Sequence, residues 1–154
     1  MKRRALAVYL ASALAMSVVV SMPSPAGAVA GFGDIGPDSF YTEAVQWMVD
    51  NEITNGVSPE CFAPDERVTR GQAAAFMWRM EGSPEPTTDH GFIDVRAAWQ
   101  HDAVSWMAEN GITTGTTRRT YSPDDHLTRG QVAVLLHRLE GAPVAAAPAR
   151  FLSL

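Results

Sequence analysis

Val68-Thr69-Arg70-Gly71-Gln72 and Leu127-Thr128-Arg129-Gly130-Gln131 carry one pattern twice, 59 residues apart. A threonine followed three residues later by glutamine is a capping box. The hydroxyl accepts the amide hydrogen of the third helical residue, and the glutamine reaches back to the threonine amide. Helices are therefore predicted to start at Arg70 and at Arg129. Val68 with Ala73, and Leu127 with Val132, are spaced for a hydrophobic staple over each start. Ala74, Met77 and Trp78, then Ala133, Leu135 and Leu136, mark the predicted buried side.

Outward from these starts, the whole surrounding unit repeats. Phe32-x-Asp34-Ile35 answers to Phe92-x-Asp94-Val95, and Ala44-Val45-x-Trp47-Met48 to Ala103-Val104-x-Trp106-Met107. Ile53-Thr54-x-Gly56 answers to Ile112-Thr113-x-Gly115, and Phe62-x-Pro64-Asp65 to Tyr121-x-Pro123-Asp124. The units are read as 31–82 and 92–141, joined by a proline-rich linker over 83–91. The tail, 142–154, contains Phe151-Leu152-Ser153-Leu154, which resembles the opening of a further unit. Phe40, Ala44, Trp47 and Met48, repeated as Trp99, Ala103, Trp106 and Met107, step by four, three and one. That is a helical stripe, with Ser39 or Asp38 as its expected cap and Gly111, or Asn51 nearby in the first unit, at its end. Trp47 and Trp106 are expected in the core. The predicted fold class is all-α, two tandem helix-loop-helix repeats.

Residues 1–30 read as a secretory signal: Lys2, Arg3 and Arg4, an uncharged run from Ala5 to Val20, and Ala28-x-Ala30 before the expected cleavage. Beyond residue 30 there are nine arginines, no lysine and all 17 carboxylates, about eight net negative charges. Such a chain is not expected to bind nucleic acid, or anionic membranes, through bulk charge. Any anionic partner must be met by a local set of donors. Cys61 stands alone, so no internal disulfide is possible; it is either a small inert core residue or a site of pairing between chains.

Arg70 and Arg129 break a local rule at matching positions, since a helix start is already positive and favours acids. Two readings follow: an anion receptor built from amides, dipole and guanidinium, or internal pairing with Asp65, Asp124, Asp34 or Asp94. Trp99 and Phe40, in the expected first turn of their helices, are candidates to stack on a sugar face. Trp78 is assigned no role. Asp38, Asp65, Asp124 and Asp125 read as cap and turn residues. His90, His101, His126 and His137 lack common zinc-motif spacing, so no metal site is expected. The sequence carries no nucleophile elbow, phosphate loop or nucleotide fingerprint, and no catalytic role is expected.

Together, Phe-x-Asp-Ile/Val, the Ala-Val-x-Trp helix, Gly-Ile-Thr-Thr-Gly, Phe/Tyr-x-Pro-Asp and Val/Leu-Thr-Arg-Gly-Gln resemble the S-layer homology repeat, from Phe32 to Gly141. The resemblance implies helical repeats arranged as a three-pronged spindle, here with two units complete. It also implies non-catalytic binding, without a cofactor, to secondary cell-wall polysaccharide bearing pyruvyl ketals. The polymer-binding residues it implies are Arg70, Arg129, Asp34, Asp94 and Trp99, with Phe40 a weaker substitute for the tryptophan. Thr69, Gln72, Thr128 and Gln131 cap the helices; glutamine replaces the glutamate common in the family. The competing reading is an assembly module that self-associates or docks a surface partner to complete the spindle.

Overall fold

The computed structural model describes residues 29–143. The expected signal segment and tail lie almost wholly outside them. Four helices follow in order: α1, Thr42–Asp50; α2, Arg70–Met80; α3, Ala98–Glu109; and α4, Arg129–Leu139. The described residues contain no strand, only three isolated bridges, so the all-α expectation holds. No helix among them is long and apolar enough to cross a membrane.

Both capping boxes are present. Thr69 accepts from the Gln72 amide at 3.2 Å while its own amide donates to Gln72 Oε1 at 2.9 Å. Thr128 and Gln131 repeat this at 3.3 and 2.8 Å. The first helices differ from expectation. Neither Ser39 nor Asp38 caps α1, whose N-cap is Tyr41 with no side-chain bond. Instead Thr42 Oγ1 donates to the Gly36 carbonyl at 2.6 Å, tying the opening turn to the helix start. Phe40 therefore precedes the helix, whereas Trp99 lies inside α3.

The helix exits obey the same backbone rule with different residues. Gly111 takes φ +68° after the Asn110 C-cap, as expected. In the first unit Asn51 is the C-cap at φ −99°, and the left-handed residue is Glu52 at φ +58°. A carboxylate side chain there carries strain that glycine avoids.

Only one helix pair among the described residues packs extensively, α2 against α3, and it joins the two units. Small residues allow the close approach: Ala74 and Ala103 are fully buried. A Cβ on Gly71 would lie 2.4 Å from Gln100 Nε2. Met77, Phe92, Val104, Met107, Ile112, Tyr121 and Leu135 complete the main core. Phe32, Ile35 and Val45 form a smaller cluster under α1. Each fully buried large apolar side chain contributes about 1.5–3 kcal/mol.

This arrangement corrects part of the predicted core. Trp47 is 53% exposed and Ala44 is exposed, while their counterparts Trp106 and Ala103 pack in. Ala133 and Leu136 are exposed where Ala74 is buried. The cause is neighbours, not composition. Helices α2 and α3 cover each other, whereas α1 and α4 have no such partner among the described residues.

Candidate functional site

The two arginines of the repeated helix start meet opposite surroundings. Arg70 is buried, at 7% exposure. Its Nε donates to the Tyr121 carbonyl at 2.8 Å, and its Cζ lies 4.8 Å from the Tyr121 ring centroid. Tyr121 returns a bond from its hydroxyl to the Arg70 carbonyl at 2.9 Å. The Arg70 and Gly71 amides donate to the carbonyls of Asp125 and Pro123, each at 2.8 Å. The start of α2 is thus closed by the second unit's loop, and it is not the open anion receptor the sequence suggests. Internal ion pairing is not found either: among the described residues the only charge pairs join histidines to aspartates. Arg129, by contrast, is exposed, and no described loop covers it.

The opening aspartates are loop clamps. Asp34 accepts from the Phe62 amide at 2.9 Å, the Ala63 amide at 2.7 Å and Cys61 Sγ at 3.2 Å. Asp94 accepts from the Tyr121 and Ser122 amides, both at 2.8 Å. The Phe62 amide holds the Asp34 carboxyl below its ordinary value; burial opposes it, and the Ala63 amide and Cys61 thiol add to it. Burial pushes Asp94 up, but the Tyr121 and Ser122 amides outweigh it and leave the carboxyl low. Lining up the loop is the role the geometry gives both residues.

Cys61 is half-buried. Its bond to Asp34, with burial and the carboxylate's charge adding, holds the thiol above its ordinary pKa. The thiolate is the reactive form. Labelling by a thiol reagent is therefore expected to rise at a higher pH in the native protein than for an unhindered cysteine. Asp34→Asn should move that midpoint down. Identical pH–rate curves for the two proteins would contradict this account.

Two equivalent grooves flank the second helices. The first, about 410 Å³, is walled by Thr54–Val57, Phe62, Gln72, Phe76, Arg67, Arg79 and Glu66, and α3 adds Trp99. The second, about 560 Å³, is walled by Thr113, Thr114, Thr116, Thr128, Gln131 and Arg138, and α2 adds Arg70. Each groove thus takes a side chain from the neighbouring unit. Trp99, 49% exposed, stands where a ring can stack on a ligand face. Phe40 is 98% exposed and lines neither groove. Arg129 lines a third, shallower apolar hollow with Val68, Leu127 and Leu136.

Several structurally engaged positions lie outside the sequence-derived set. Arg79 and Arg138 donate from Nη1 to the carbonyls of Ile53 and Ile112, at 3.1 and 3.2 Å, fastening each loop to its second helix at the groove wall. Their identity at the same 59-residue offset is the signal that was there to read. Trp78 has a use after all: its Nε1 donates to the Pro84 carbonyl at 2.8 Å, and His137 Nε2 lies 2.9 Å from the Pro143 carbonyl. Both rings pin the segment that leaves the unit. The fold also gathers Asp89, His90 and His101, which sequence spacing did not reveal. The Phe92 amide already occupies the His90 Nδ1 lone pair at 2.8 Å, so the trio does not stand ready for a metal.

Two helix-loop-helix units with capped Thr-Arg starts, clamped loops and grooves completed across the unit boundary make a tandem helical repeat. The S-layer homology domain pattern matches residues 31–74 and 91–133, and the chain belongs to that family. It is similar to the surface-layer 125 kDa protein of Lysinibacillus sphaericus, 33% identical over 131 residues, which are 83% of this chain and 11% of that protein. An endoglucanase of Bacillus sp. (strain KSM-635) is 29% identical over 70% of this chain and 11% of its own length. The S-layer protein sap of Bacillus anthracis is 22% identical over 82% of this chain and 16% of its own. The chain thus spans between about a tenth and a sixth of the length of these relatives. The protein is a secreted, cell-surface protein, and its repeats are a non-catalytic anchoring module.

Proposed function

We propose that the module attaches to an anionic secondary cell-wall polysaccharide through the two grooves. A pyruvyl carboxylate is met by Arg70 and Arg138 in the second, and a sugar ring by Trp99 in the first. One observation carries this reading. The lining of the second groove holds two guanidinium groups, four threonines and no carboxylate, in a chain of net charge −5. An arginine wall of that kind, with Arg70 buried and Arg138 half-buried, favours a carboxylate through charge-assisted bonds. The chain itself does no chemistry in this reading. Purified walls should retain the protein before polymer extraction and lose it afterwards. Arg138→Gln should weaken retention roughly tenfold, the equivalent of about 1.4 kcal/mol. Equal retention on extracted walls would remove the polymer as ligand.

A second reading rests on the exposed faces of α1 and α4, whose counterparts α3 and α2 are buried against each other. Such faces suit docking of another repeat unit. Light scattering that finds a compact monomer in dilute, reducing solution would count against it.

A further inference from the structure

At the junction of the linker and the second unit, His90 is nearly enclosed, with its side chain 5% exposed. Its Nδ1 accepts the Phe92 amide hydrogen at 2.8 Å, and its ring stacks on that of Phe92 at 5.6 Å and 16°. Its Nε2 is buried without a partner. A ring that accepts at Nδ1 is neutral, with its proton on Nε2. Phe92 is a core residue, and two positions on Asp94 clamps the Tyr121 loop. The latch position therefore fixes the entry of the whole second unit. Three elements present charged or titratable groups to the ring. From the linker, Asp89 Oδ1 lies 3.6 Å from Nδ1. From α3, the His101 ring lies 4.8 Å away and is itself 3.3 Å from Asp102. From the opening segment comes the charge of Asp94.

We propose that His90 is an acid-sensitive latch, whose neutral ring fastens the first core residue of the second unit and whose protonation releases it. Protonation would set an N–H on Nδ1 against the Phe92 N–H, donor facing donor, and place a charge in an enclosed site. Burial depresses the His90 pKa below its ordinary 6.5; Asp89 opposes this, His101 adds to it and Asp94 opposes it again. The folded value lies below the unfolded one. The latch's contribution is thus complete above about pH 6.5 and is lost as pH falls through the folded value. The corresponding position of the first unit is Ala30, so the device belongs to the second unit alone.

The test is His90→Asn. An asparagine oxygen accepts the amide two residues on, as in an Asx turn, and does not titrate. Phe92 amide protection, corrected for the intrinsic pH dependence of exchange, is expected to fall between pH 7 and pH 5 in the wild type. The loss is roughly tenfold for each unit by which the folded value is depressed, and protection should stay level in His90→Asn. Equal losses in both proteins would overturn the latch. Should the variant not fold, NMR titration of the wild-type ring decides: a midpoint at or above that of the unfolded chain overturns the proposal, and one below it sustains it.

Discussion

Arg70→Ala is expected to lower the unfolding free energy by about 3 kcal/mol, and Arg129→Ala by less than about 0.5 kcal/mol. The two residues open the same helix motif, so the difference isolates their surroundings. Arg70 loses a bond from a charged donor to a buried carbonyl, worth about 1.5–3 kcal/mol. It also loses a cation–π contact of about 1–2 kcal/mol and the packing of its stem. Those terms overlap at one site and do not simply add. A drop of roughly 10–15 °C in Tm follows for a fold of this size. Arg129 is exposed and makes none of these contacts. Sequence reasoning alone expects Arg70→Ala to weaken retention with little structural cost. The buried geometry predicts instead that binding and stability fall together, which makes Arg138→Gln the cleaner probe of the groove. If thermal unfolding moved both alanine variants equally, the closure of the α2 start by the second unit's loop would be wrong.

The contrast between these arginines also shows what a sequence of this kind reveals. Capping boxes, the starts of α2 and α4 and the all-α class were legible because they depend on residues within four positions of one another. The 59-residue repeat exposed the unit, and the resemblance it carries named the family correctly. A repeat implies that its copies have equal environments, however, and here that implication fails. Trp47 and Trp106 occupy one position of one motif, yet the first is more than half exposed and the second packs on the core. Which helix gains a neighbour is decided by how the units stack, and that is a long-range fact absent from local pattern. The loop bonds of Asp34 and Asp94 were not legible for a related reason. Their partners lie 27–29 residues on, in backbone amides that no side-chain pattern announces.

The largest single effect is expected from Gly115→Ala, a loss of about 3–5 kcal/mol set against a typical domain stability of about 5–15 kcal/mol. Gly115 holds φ +76°, and a Cβ there would lie 2.5 Å from the Thr120 carbonyl oxygen, 2.6 Å from Phe92 Cε1 and 2.6 Å from the Thr117 carbonyl oxygen. Two of those atoms belong to the backbone and the third to a core ring, so none can yield cheaply. Gly111 supplies the control. It holds φ +68°, yet a Cβ would meet nothing within 4 Å. Gly111→Ala should therefore cost only the left-handed strain, about 1 kcal/mol. Subtracting one variant from the other leaves the steric part. Urea midpoints at unchanged m-value provide the measurement. Because Gly115 also walls the second groove, and the Phe92 ring beneath it anchors the unit's opening, wall retention should vanish with the loop. A Gly115→Ala protein as stable as Gly111→Ala would mean that the loop backs onto open space, and the groove it shapes could not be the rigid arginine-walled receptor of the proposed attachment.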